Sequence, residues 1–294
     1  MRPGRPTDLA AVIELWRADV RAGRRDSMPR QSHLDGLAAR FDWEARSRVV
    51  ENGSGGLAGA VMLAAYASPD GPLAQLDASA TDDATMQQLT RWGLGLSRAS
   101  GAIATMVWVG RGHGEPLRGL GLKYARQWWR MDRSLETELP EPRPVDGYEM
   151  LDGGRAQPGS WAEVHNRSFA DHWRFSYRAE EELVGGKAPE LCLMAVTEAQ
   201  EPAAVTLCEL ETLEGDRRPE PVGIVRSVGT VPAHRRRGLA TWLVAEGLAR
   251  LRAAGARHAS LYVDAMNQTR AHQAYRKLGF EVAFESEVWE ATFA

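Results

Sequence analysis

Apolar positions along this chain switch repeatedly between a two-residue period and a three-to-four-residue period. The switches mark out alternating strands and helices. Thr7 or Asp8 caps a helix over 9–21, with Val12, Ile13, Leu15 and Trp16 on its apolar side, and a second helix is expected over 32–41. Two strands, 47–51 and 57–67, flank the glycine-rich turn at 52–56, and 73–78 reads as a weaker third strand. Met86, Leu89, Trp92 and Leu96 give a helix over 85–98. A strand follows over 103–109, and 127–133 reads as the closing strand of this half.

Leu139-Pro140-Glu141-Pro142-Arg143-Pro144 can continue neither a helix nor a central strand, so it reads as a linker. Beyond it the order repeats. A helix is expected over 160–169 and another ending near Leu183. Strands follow over 191–197, 204–210 and 222–231, the last two joined by the polar loop 214–219. A helix then runs from Gly238 to Gly255, followed by a strand over 258–263. The helix 268–278 is capped by Asn267, and 282–293 is the closing strand. This is a tandem duplication of one α/β unit of about 140–150 residues. The expected division is 1–139, a linker at 140–147, and 148–294.

One junction carries chemistry. In Ser227-Val228-Gly229-Thr230-Val231-Pro232-Ala233-His234-Arg235-Arg236-Arg237-Gly238-Leu239-Ala240-Thr241-Trp242, a β-branched strand stops at a proline and a helix opens after Gly238. Free N–H groups, the positive dipole end and a small Gly-x-Ala turn suit a diphosphate. A solvated arginine run at a basic helix start is the plainer alternative. The matching stretch in the first half, Ala78–Ala84, has two carboxylates and no arginine or glycine. That half therefore reads as a structural or substrate-shaping copy.

Composition narrows the class. At 294 residues, 44% hydrophobic and 26% charged, the chain is long enough for two cores. The net charge of −3 makes the basic run local and argues against nucleic acid as a partner. Cys192 and Cys208 lie in apolar runs and read as buried thiols, so neither a disulfide framework nor a metal site is expected. No stretch approaches the ~18–20 apolar residues of a membrane span, and no signal-peptide core is seen. A cytoplasmic protein is expected.

Arg235-x-x-Gly238-x-Ala240 resembles the acyl-CoA signature of the GNAT acetyltransferase superfamily. The later run Leu261–Phe280, with Asn267, Ala271, Tyr275, Leu278, Gly279 and Phe280, is similar to its second signature, in the correct order. Residues 148–294 resemble the mycothiol synthase branch, which acetylates the amine of a cysteinyl pseudodisaccharide. The resemblance implies an α/β (layered α+β) fold of two tandem GNAT-like domains. Each would have a mixed, mostly antiparallel sheet with helices on both faces, and the first would be degenerate.

The resemblance also implies site roles. Acetyl-CoA would be the cosubstrate, with no metal. Val228, Gly229 and Thr230 would splay from the strand 258–263 and pair with the pantetheine arm. One N–H near Val228 would hold the acetyl carbonyl. Arg235, Arg236, Arg237, Gly238, Leu239, Ala240 and Thr241 would take the diphosphate, and Asn267 would touch the arm. Tyr275 would be the general acid, against the alternative of a plain core residue. The glutamate that relatives often carry on the strand is replaced here by Ile224 and Arg226. Glu209, Glu211, Asp171, His172, Asp264 or a water chain are the candidate bases. Phe169, Trp173, Phe175 and Tyr177 would wall the acceptor site or form core.

The expected activity is N-acetylation of a small primary amine by direct attack in a ternary complex. A non-catalytic acyl-CoA-binding module and a protein N-acetyltransferase are the alternatives.

Overall fold

The computed structural model describes residues 1–53, 55–212 and 221–293. In chain order the elements are β1 (Arg2–Pro3), α1 (Leu9–Arg21), α2 (Gln31–Arg40), α3 (Trp43–Arg46), β2 (Ser47–Glu51), β3 (Leu57–Ser68), β4 (Gly71–Ala80), α4 (Asp83–Ala99), β5 (Ala104–Gly110), α5 (Glu115–Arg118) and β6 (Lys123–Ser134). Then come β7 (Tyr148–Asp152), α6 (Ser160–Phe169), α7 (Glu180–Val184), β8 (Cys192–Thr197), β9 (Pro202–Glu211), β10 (Val222–Thr230), α8 (Leu239–Ala253), β11 (His258–Asp264), α9 (Ala271–Lys277) and β12 (Glu281–Thr292). The expected polar loop at 214–219 lies outside the described residues.

The chain forms two compact units. The first comprises Met1–Trp128 and the chain from Phe284 onward. Its strands run β1-β2-β3-β4-β5, and β12 lies beside β5. Alternation along β3 sorts its side chains to two faces. Ala60 and Met62 meet Val12, Leu15 and Trp16 of α1, whereas Val61 and Leu63 join Leu89 of α4. The weak strand at 73–78 is a full partner of β3, paired from Gly59↔Ala80 to Ser68↔Gly71. At the start of α4, Asp82 accepts the N–H of Thr85 at 2.8 Å. A carboxylate therefore fills the position where an anion would otherwise sit.

The second unit comprises Trp129–Thr212 and 221–283 among the described residues. Its strands run β6-β11-β10-β9-β8-β7, with β10 and β11 parallel. On one face Leu248 and Leu251 of α8 pack on Ala259 and Leu261. On the other, Trp161 and Val164 of α6 pack on Val205 and Leu207. Leu139 and Val145 of the expected linker pack on this unit's clusters.

Three details differ from the sequence reading. First, the two closing strands are exchanged. The stretch expected to close the second half runs antiparallel to β5 of the first, from Ser286↔Gly110 to Thr292↔Ala104. The carboxyl-terminal half of β6 lies in the second unit instead, with Met131 among the residues under α8. Period-two patterning identifies a strand but not its neighbour, because pairing is a long-range choice. Second, the short edge strands β1 and β7 and the one-turn α3 carry too few periodic positions to be legible. Third, the helix expected from Gln268 begins only at Ala271, and Asn267 is not its cap. Its Oδ1 accepts from Thr269 N at 2.9 Å and Thr269 Oγ1 at 3.0 Å, which holds the chain in a turn.

Trp289 on β12 is 3% exposed and packs with Leu76, Leu89 and Val107 of the first unit. Trp289→Ala should cost about 3–5 kcal/mol in urea unfolding. Amide exchange should accelerate in β3–β5 and stay unchanged in β8–β10. Acceleration confined to β8–β10 would contradict the exchange of closing strands.

Candidate active site

The site forms where two strands part. β10 and β11 are in register only from Val222↔His258 to Val225↔Leu261. At that point the register of β10 against β9 shifts by one residue, at Arg226. Such a bulge bends its strand away from a neighbour. Val231 N–H donates to Ala203 O on β9, so Val231 faces β9. By alternation the N–H and C=O groups of Thr230 and Val228 face the opposite, open edge. This is the splay that Val228, Gly229 and Thr230 were expected to make. Gly229 has no room for a side chain. A Cβ there would lie 2.7 Å from Phe169 Cε2 and 2.8 Å from Ser168 Cβ, so α6 presses directly on the strand.

The loop beyond β10 presents amides. Gly238 sits at φ +93° before α8, and no side chain caps that helix. Arg236 is also left-handed, at φ +66°. A non-glycine residue held there is strained, as Arg174, Gln200 and Arg270 also are, and such backbone clusters at functional sites. Trp242 N–H closes the first helical turn onto Gly238 O at 2.9 Å. Among the described residues, the N–H groups of Arg236, Arg237, Gly238, Leu239, Ala240 and Thr241 have no backbone partner. Six free donors at a positive helix end fit a diphosphate. The start of α4, closed by Asp82, does not.

The three arginines part company. Arg236 is exposed, without hydrogen bond or ion pair among the described residues. Arg237 Nη1 donates to Tyr148 Oη at 3.1 Å, and that oxygen lies 2.9 Å from His234 Nδ1. Arg235 points elsewhere. Its fork takes Asp171 at 2.6 and 2.8 Å, and it also reaches Ser168 O and Thr230 O. The pattern Arg235-x-x-Gly238-x-Ala240 sets Arg235 apart by position, but it gave no sign of these partners.

Asn267 is half-buried three residues past the end of β11, and among the described residues no hydrogen bond uses its amide nitrogen. Tyr275 on α9 is 7% exposed and lies against Phe280, with ring centroids 6.3 Å apart. Burial raises its phenol well above the ordinary value of 10, so it stays protonated at neutral pH. It is therefore both a core residue and a held proton.

The candidate bases fare unequally. Burial works to raise the Glu209 carboxyl, but hydrogen bonds from Lys187 and Arg226 prevail and hold it at about 2. Glu211 is paired with the same Arg226. Asp171 is held below the usual carboxylate range by Arg235. Asp264 is 8% exposed and accepts Met266 N–H at 2.8 Å. His172 lies against Phe169, centroids 4.7 Å apart. Lys187 and Tyr148 belong to no motif, so sequence reasoning missed both.

In the aromatic segment Phe169, Trp173 and Phe175 are half-buried, and only Tyr177 is exposed. Phe175 and Tyr177 meet edge to face at 5.1 Å, and Tyr177 is 69% exposed. Asn166 staples this segment to α6 by bonds to Arg178 N and O, each 3.0 Å. Below it His165, also missed, is 8% exposed and stacks on Phe169 at 4.6 Å. Burial pushes its imidazole down to about 4. Both cysteines are buried and free. Burial raises the Cys192 thiol to about 11 and Cys208 further still, so neither is a thiolate nucleophile.

The profile of the Acetyltransferase (GNAT) family matches residues 158–280, which covers the open edge, the amide loop, Asn267 and Tyr275. A mycothiol acetyltransferase from Nocardia farcinica is 32% identical over 208 residues, covering 67% of each chain. This chain belongs to the GNAT acetyltransferase family. Another mycothiol acetyltransferase, from Thermobispora bispora, is 34% identical over 176 residues. That match spans 55% of this chain and 56% of the relative, little more than half of its length.

Two solved structures extend the likeness to the whole GNAT chain at the level of fold. One is a GCN5-related N-acetyltransferase from Sphaerobacter thermophilus, with TM-score 0.77, 19% identity and coverage of 99% and 94%. The other is a tandem GNAT protein from the clavulanic acid biosynthesis pathway, with TM-score 0.69, 17% identity and coverage of 99% and 97%. No described helix is long and apolar enough to cross a membrane.

His165 supplies a pH test of how the α6 wall is packed. Its folded value lies below its ordinary 6.5, so the unfolded chain binds the proton more readily. Stability should be full above pH 6.5 and fall as pH drops towards 4, by roughly 2 kcal/mol at pH 5 relative to pH 7. Urea unfolding of His165→Phe should lose that slope. An identical slope in the variant would show that His165 is not buried neutral.

Proposed function

We propose that this protein is an acetyl-CoA-dependent N-acetyltransferase that acts on a primary amine of a small molecule. The observation that carries this reading is the open edge of β10, which runs straight into a loop of free amides. The edge suits the amide-bearing pantetheine arm, which can add to it as a strand does. The six free N–H groups from Arg236 to Thr241 suit the diphosphate, with Arg236 and Arg237 adding charge. Asn267 has an amide nitrogen to offer the arm.

In this reading Val228 N–H faces the thioester carbonyl oxygen and stabilises the negative charge that gathers there as the amine attacks. Tyr275 supplies the proton that the departing thiolate takes up. The amine must reach the carbonyl neutral. Glu209, Glu211 and Asp171 are neutralised by cations and make poor bases, which leaves His172, Asp264 or a water chain for that proton. The buried, protonated thiols favour direct transfer over an acyl-enzyme. The relatives named as mycothiol acetyltransferases make a cysteinyl pseudodisaccharide the first acceptor to try.

A non-catalytic acyl-CoA-binding role is favoured by one observation, the ion pairing of Glu209, Glu211 and Asp171 with cations. A screen of amines that follows free CoA thiol separates the two. Turnover with the cysteinyl pseudodisaccharide supports the enzyme, whereas binding of acetyl-CoA with no thiol released from any amine supports the binding module. Tyr275→Phe removes only a hydroxyl. It should lower kcat by about 10²-fold or more and leave acetyl-CoA affinity unchanged. Equal kcat in the variant would remove the acid role.

A further inference from the structure

We propose that Arg235 is a positioning residue for the acceptor side of the site and not a phosphate ligand. This rests on the acetyltransferase reading above. Arg235 opens the run that precedes Gly238, so by position it belongs with the phosphate loop. Its side chain does not. Nε donates to Thr230 O at 3.1 Å, and Nη2 donates to Ser168 O at 3.0 Å. The same Nη2 and Nη1 grip the two oxygens of Asp171 at 2.8 and 2.6 Å. A guanidinium is planar, and a bidentate carboxylate uses one whole edge of it. Turning that edge to a phosphate would break the Asp171 pair and both carbonyl bonds together.

Each partner explains why an arginine stands here. Ser168 lies in the last turn of α6, where carbonyls lack helical partners and the dipole end is negative. Asp171, just past that end, adds a second negative charge. Arg235 satisfies both. Thr230 is the last residue of β10, and its carbonyl faces the open edge, so the Arg235 guanidinium closes that edge at its far end. One side chain therefore ties the end of β10, the end of α6 and the start of the aromatic segment into one piece. The close approach of Ser168 and Phe169 to Gly229 is the contact that this tie holds shut. The amine would meet this wall, whereas acetyl-CoA would meet the N–H groups of Val228 and of residues 236–241, none of which bonds Arg235. The two substrates should respond differently to loss of the tie.

Arg235→Gln should raise KM for the cysteinyl pseudodisaccharide at least tenfold and leave the calorimetric Kd for acetyl-CoA within twofold. Arg235→Lys keeps the charge without the fork and should recover only part of the loss. Asp171→Asn, a change at an exposed carboxylate, should reproduce most of the effect, and the double variant should add little to it. A tenfold weaker acetyl-CoA Kd with unchanged amine KM would make Arg235 a phosphate ligand and overturn the proposal.

If no amine is turned over, the functional reading fails, but the tie can still be tested by amide exchange. Residues 166–172 should exchange faster in Arg235→Gln and Asp171→Asn. They should stay as in the parent in Arg167→Gln, which removes only a surface pair with Glu163. Equal exchange in all four proteins would overturn the tie itself.

Discussion

The arrangement depends on one break in a hydrogen-bond ladder. Parallel strands β10 and β11 hold register for four residues and then part, at the point where Arg226 bulges out of the pairing with β9. Beyond it the main chain of Val228 and Thr230 has an edge with no strand beside it. Unpaired backbone inside a fold is costly, so it persists where something else completes it. Two glycines bound the opening. Gly229 lets α6 press on the strand, and Gly238 lets the chain turn at φ +93° into α8 without a side chain over the amides.

Charge is placed with the same economy. The loop after β10 ends in free donors, and the corresponding turn before α4 ends in an Asp82 cap. Two helix starts that follow strands in the same way thus present opposite surfaces, free donors at one and a carboxylate at the other. On the sheet face towards α6, Lys187, Glu209, Arg226 and Glu211 form a chain of alternating sign. Glu209 stands opposite Ile224 in the ladder, close to where relatives often carry a glutamate. Its pairs with Lys187 and Arg226 anchor the bulge and hold its carboxyl below the usual range.

Much of this was legible in the residues. The change of period across Pro232 and Gly238, the spacing of Asn267, Tyr275 and Gly279, and the absence of cations from the first-half loop are local signals. They led to the right family and to the open edge. The exchange of closing strands was not legible, because β6 and β12 are equally good strands and only distant cores choose between them. Nor was the division of labour among Arg235, Arg236 and Arg237. The motif gives Arg235 its own place in the run, but only the positions of Asp171 and Tyr148 show what each side chain bonds. Asn267 misled for a related reason. It has the chemistry of a helix cap but spends it on Thr269 two residues on, so α9 starts late. The acid and base candidates were legible as residue types, while their availability depended on partners far away in the chain.

In the reading proposed above, main-chain amides around Gly238 hold acetyl-CoA. Calorimetric titration of the full chain with acetyl-CoA, beside Gly238→Asp, tests it most directly. The substitution forces a side chain into the left-handed position and brings a carboxylate to the amides. Saturable heat is expected for the parent and at least a tenfold weaker Kd for the variant, with the rest of the fold intact by amide exchange. No heat with the parent, or equal affinity in the variant, would contradict it.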